Sequence, residues 1–79
     1  MPATSPSPAE RLRQRLLSAL DDARGPMTTA QLRDHVQQRF GQPVVIEAVY
    51  RNLTVLERRG DVRRHKGPGR DAHWARATG

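Results

Sequence analysis

Arg51 is the residue of this chain best suited to directional recognition chemistry. A guanidinium is a rigid fork of N–H donors that matches two phosphate oxygens, or the O6/N7 edge of guanine, with paired hydrogen bonds. It sits in the stretch Val44 to Gly60, VVIEAVYRNLTVLERRG. There Ile46, Val49, Leu53 and Leu56 recur at steps of three, four and three, the spacing of one buried helical stripe. A helix over about 45–59 follows, with Gly60 ending it in the left-handed conformation. Arg51 stands about 200° round the helix from both Val49 and Leu53, so it points away from the core. The same outer face is assigned Glu47, Ala48, Asn52, Thr54 and Arg58, with Tyr50 at the border.

Around Arg51 the other candidates fall into place by residue type. Tyr50 suits either a phosphate or a thymine methyl, and Asn52 a backbone phosphate. Thr28 and Thr29 open the preceding helix, where free backbone amides and a hydroxyl can clamp a phosphate. Downstream, Arg63, Arg64, Lys66 and Arg70 form a basic run. Lys66 and Arg70 would flank a hairpin tip, and Arg63 and Arg64 alternate along a strand, so only one of them faces a given surface. Each residue also has a purely structural reading. Arg51 would pair with Glu47 at i,i+4, Thr28 would cap a helix, Tyr50 would edge the core, and the hairpin tip would be a solvated charged turn. Arg58 and Arg59 would complement the helix dipole.

These residues need a scaffold, and the chain supplies one. A lead rich in Pro, Ser and Thr over 1–6 precedes a single domain over 7–77. Ser7-Pro8-Ala9-Glu10 predicts a capping box with Pro8 at the first helical position. The helix it opens buries Leu12, Leu16, Ala19, Leu20 and Ala23 and stops at Gly25-Pro26. Thr28 and Gln31 predict a second capping box, followed by Leu32, Val36 and Phe40 on one face and a stop at Gly41. Two short helices joined by a Gly-containing turn make a helix-turn-helix. After Gly60, residues 62–65 and 72–75 read as strands flanking the turn Lys66-Gly67-Pro68-Gly69-Arg70, with Val62 and Trp74 directed at the helices. A third strand, between the first two helices, would come from Pro26-Met27 as one short bridge. The predicted fold is mainly α with a small β-hairpin: a winged helix-turn-helix of three helices and a two-stranded wing.

Composition narrows the function. The net charge is +6 and the pI near 11.5, which points to an anionic partner. All but one of the basic residues are arginine, and most of the excess lies after Ile46. There are no cysteines, hence no disulfide framework and no thiolate metal site. His35, His65 and His73 lack the spacing and companions of a zinc site, although His65 and His73 would meet across the hairpin. No Ser-His-Asp set, phosphate-binding glycine loop or carboxylate pair appears, so neither a cofactor nor an enzyme activity is expected. The N-terminus has no signal-peptide pattern and no run reaches membrane-spanning length, so a cytoplasmic, nucleoid-associated location is expected.

The segment Ala48-Val49-Tyr50-Arg51-Asn52-Leu53, continued by Val55-Leu56-Glu57 and by Gly60-Asp61-Val62-Arg63-Arg64-His65, resembles the DNA-binding half of the ferric uptake regulator family. That family carries a T-V-Y-R-x-L core in its recognition helix, then a helix-ending Gly and a basic strand. The likeness extends over about residues 9–76. It implies a double-stranded DNA partner, with Tyr50 and Arg51 in contact and Glu47 and Ala48 near the groove. Val45 departs from the Ser or Thr cap usual there. The chain ends where the family's dimerisation domain would begin, and the metal sites that depend on that domain are not carried over.

The function expected is therefore sequence-specific binding of duplex DNA by a small transcriptional regulator. A module of this size covers about 600–1,000 Å² of DNA contact, so a homodimer or a second protein on the DNA is expected as well. The alternatives are a winged-helix protein-interaction module, and a DNA architectural or recombination accessory factor.

Overall fold

A computed structural model describes residues 6–66, 69 and 71–77. The elements run α1 (Pro8–Asp22), β1 (Met27–Thr28), α2 (Thr29–Phe40), α3 (Ile46–Arg59), β2 (Val62–Lys66) and β3 (Ala72–Arg76). The strands form one antiparallel sheet in the order β1-β3-β2. This is the expected winged helix, except that its sheet has three strands. The bridge expected at Pro26-Met27 forms one residue later, pairing Met27 with Trp74 and Thr28 with His73.

Local sequence sets most boundaries. The hydroxyl of Ser7 accepts the amide of Glu10 at 3.1 Å, and Pro8 opens α1. Only half of that expected box forms, because the Glu10 carboxylate turns to Arg13. α1 stops at Asp22, before Gly25-Pro26, and the amide of Ala23 closes the last turn onto Ala19 and Leu20. The second box is complete: Thr28 Oγ1 accepts the Gln31 amide, and Gln31 Oε1 accepts the Thr28 amide. Gly41 (φ 67°) and Gly60 (φ 82°) end α2 and α3 in the left-handed region, where a side chain would be strained.

Leu16, Ala19 and Leu20 of α1, Leu32 and Val36 of α2, Val49, Leu53 and Leu56 of α3, and Val62 and Trp74 of the wing form one core. Trp74 is fully buried in the central strand and sits where all three helices and the sheet meet. Three expectations about burial are corrected. Phe40 is exposed, lying beneath the guanidinium groups of Arg15 and Arg39 at 4.4 and 5.6 Å from its ring centre. Ile46 is exposed at the first residue of α3. Asn52, expected on the outer face, is buried. On a helical wheel it stands only about 40° from Leu56, on the side that faces α1.

Candidate nucleic-acid interface

α3 presents two very different sides. Toward α1, Asn52 accepts a hydrogen bond from Arg13 Nη1 at 2.8 Å and donates from Nδ2 to the carbonyl of Ala48 at 2.7 Å. Arg13 also grips Glu10 through Nε at 2.9 Å and Nη2 at 2.6 Å, and Arg59 reaches the same carboxylate at 3.5 Å. The Arg13 guanidinium, hydrogen-bonded to it, holds the Glu10 carboxyl below its usual pKa, with the charges of Arg13 and Arg59 adding to the effect. This cluster fixes how α3 sits on α1. Ala48 lies on the same flank, beside Leu12 and Arg15. Asn52 is therefore turned away from the face that carries Arg51, a correction to the expected outer face, while half-buried Ala48, about 60° from Arg51, stands between the two sides.

The other side of α3 is a shallow groove. Glu47, Tyr50, Arg51, Thr54 and Arg58 line it, together with Ile46, Val55 and Thr29. Arg51 is exposed, and no ion pair among the described residues includes it. The structural alternative of a Glu47–Arg51 pair is not formed. Arg58, assigned above only to the helix dipole, lies in the same groove. Its angular position, about 180° from Val49, was readable from the sequence.

The start of α2 borders this groove. Thr28 spends its hydroxyl oxygen on the capping box. Thr29 Oγ1 accepts the indole N–H of Trp74 at 3.0 Å. Each hydroxyl keeps its own proton to donate. The bond from Trp74 to Thr29 spans 45 residues, and no sequence pattern marks it.

The wing sorts its basic residues by strand register. Arg64 pairs with Trp74 and Val62 with Arg76, so Arg64 shares the sheet face of Trp74 and leans toward α3. Its guanidinium carbon lies 5.8 Å from the Tyr50 ring centre and 5.7 Å from that of Trp74. Tyr50 meets Trp74 edge-on at 5.9 Å. Arg63 and His65 pair with Ala75 and His73 on the opposite sheet face. Lys66 is exposed at the end of β2. Arg70 lies outside the described residues, as do Gly67 and Pro68 of the expected turn. His65 and His73 do stand opposite each other, yet no group of three or more potential metal ligands occurs among the described residues.

Among solved structures, the ferric uptake regulator of Pseudomonas aeruginosa, determined with manganese, is 31% identical and superposes with a TM-score of 0.71 over 85% of this chain. The domain resembles the DNA-binding half of a ferric uptake regulator. The Helicobacter pylori regulator superposes over 92% of the chain with a TM-score of 0.77 at 18% identity, and its structure is described as having three functional metal-binding sites. The chain spans 50% and 46% of those two proteins. The winged helix is shared more widely: HOP2, described by its DNA recognition and homologous DNA pairing, matches 82% of the chain with a TM-score of 0.69 at 18% identity. No protein-family model and no curated protein sequence matches the chain. The winged helix is thus of the kind found in DNA-binding transcription regulators, and no helix among the described residues is long and apolar enough to cross a membrane.

Proposed function

We propose that this chain binds double-stranded DNA sequence-specifically as a small transcriptional regulator, without enzymatic activity, at the nucleoid. One observation carries the proposal. Arg51, Arg58, Arg64 and Lys66 lie on α3 and the wing with no ion-pair partner among the described residues, whereas Glu10, Asp21, Asp22 and Asp34 each hold an arginine. These unpaired cations stand where a recognition helix would meet DNA. α3 enters the major groove with Arg51 on a guanine edge and Glu47 beside it. The amides and hydroxyls at Thr28 and Thr29 meet a phosphate. Tyr50 flanks the groove, and Arg64, Lys66 and Arg70 extend the footprint along the backbone, while Arg63, expected there too, stands on the opposite face of the sheet. A second copy of the chain, or a second protein, completes a site too large for one module.

The protein-interaction alternative has one observation of its own. Ile46, Tyr50 and Val55 give the groove an apolar component that a partner helix would also fill. Selection of bound sequences from random duplex DNA at stated salt separates the two. Enrichment of a defined motif is expected; retention of duplex without sequence enrichment would favour the architectural role, and no retention at all the protein-interaction role.

A further inference from the structure

Arg64 differs from the other free basic residues in being held in place. Its guanidinium lies in the angle between the Tyr50 and Trp74 rings. That angle is itself rigid, because Trp74 is fully buried and its indole N–H is bound to Thr29, and because Tyr50 packs edge-on against it. The aromatic faces attract the cation without using its N–H donors, and the residue is exposed.

The place matters as much as the rigidity. An α-helix about 10–12 Å wide nearly fills a major groove about 12 Å wide. Residues opposite the buried stripe then face base edges, and residues about 90° round face the two phosphate backbones. Arg51 occupies the first position. Tyr50, about 100° from Val49, occupies the second, and the wing brings Arg64 onto that same flank. On the proposed mode of DNA binding, we infer that Arg64 is a preorganised clamp for one backbone phosphate at the corner between α3 and the wing. Tyr50 then acts as its positioning residue through its ring rather than as a base contact.

Duplex binding of the full chain as a function of salt tests this, with Arg64→Ala, Tyr50→Phe, Tyr50→Leu and the Tyr50→Leu/Arg64→Ala double variant. Arg64→Ala is expected to weaken binding roughly five- to tenfold at low salt, equally on selected and scrambled duplexes. The slope of log affinity against log salt should fall by about one. Tyr50→Phe, which keeps the ring, should bind like the unmodified chain. Tyr50→Leu should lose part of what Arg64→Ala loses, and the double variant no more than Arg64→Ala alone. Fully additive losses, or a Tyr50→Phe loss as large as that of Tyr50→Leu, would overturn the clamp while leaving DNA binding intact. Failure of the unmodified chain to bind any duplex would overturn the DNA reading and the clamp with it. Thermal unfolding of each variant identifies any loss caused by a disturbed Trp74.

Discussion

The α1–α2 half of the molecule and the α3–wing half handle the same residue type in opposite ways. In the first, every acidic residue before Ile46 is matched. Glu10 holds Arg13 and Arg59, Asp21 holds Arg76, Asp22 holds Arg39 and Asp34 holds Arg33. Arg15 donates to Gln42 at 3.1 Å and covers Phe40. In the second half, Glu47, Glu57, Asp61 and Asp71 enter no ion pair among the described residues, and Arg51, Arg58, Arg63 and Arg64 remain free. Exposed pairs contribute little stability individually. Their larger effect here is on which arginines stay available: the acids before Ile46 hold Arg13, Arg33, Arg39, Arg59 and Arg76, and those after it hold none among the described residues. The same arginines that read as one basic composition thus divide into structural and interactive sets.

The joint between the halves is Trp74, and breaking it should give the largest effect. Trp74→Ala removes the side chain that touches both and orphans the Thr29 contact, so it should cost about 3–5 kcal/mol, much of the stability of so short a chain. Urea unfolding measures the loss. Native tryptophan fluorescence should be blue-shifted, and an emission maximum like that of free tryptophan in water would contradict the burial.

How far the sequence reveals this division depends on range. Caps, left-handed glycines and the inward pattern of Val62 and Trp74 are local or periodic, and they were legible. Asn52 was misassigned by its polarity, although its angle beside Leu56 and Val49 already placed it inside. Phe40 was misassigned because steps of four drift by about 40° each from a helical stripe; two steps on from Leu32 the side chain has rotated off the core and onto the arginines. Arg51, Tyr50 and Arg58 can be put on the outer side of α3 by angle alone. The links from Arg13 to Asn52, from Trp74 to Thr29 and from Arg64 to Tyr50 join distant segments. They depend on how the elements pack, which no local pattern encodes.

The rear cluster should prove structural. Arg13→Met leaves the buried Asn52 oxygen without its donor and should destabilise by about 1–3 kcal/mol. Adding Asn52→Leu should recover part of that, since an apolar pair needs no partner. Glu10 supplies the pH signature. Its folded pKa is depressed by Arg13, so its contribution is complete above the ordinary glutamate pKa and fades as pH falls through that value to the lower folded one. Glu10→Gln should remove that acid-side slope in an unfolding series, and an unchanged slope would assign the acid sensitivity to the other carboxylates.

At the front the expectation inverts: binding changes and folding does not. Arg51→Ala should cost roughly 1–3 kcal/mol on the selected duplex and much less on a scrambled one. Arg51→Lys should keep general affinity and lose discrimination, because an ammonium does not reproduce the planar fork. Paired binding curves decide. Equal losses on both duplexes would make Arg51 a phosphate contact, and no loss on either would move the protein-interaction role ahead.

The smallest and most local test sets two neighbours against each other. Arg58 and Arg59 end the same helix turn and carry the same charge, yet about 100° of helical rotation separates them. Arg58 lines the groove with Arg51, while Arg59 faces back to Glu10. Arg58→Ala should weaken binding on every duplex and lower the salt slope by about one. Arg59→Ala should leave the slope unchanged, with a stability change near the limit of measurement, as for other exposed pairs. Helix-dipole effects are nearly equal at adjacent last-turn positions, so they cancel in the comparison and only the direction of the side chain remains. If the two variants lowered the slope alike, long-range charge rather than placement would govern binding, and the division of arginines between front and rear would lose its functional meaning.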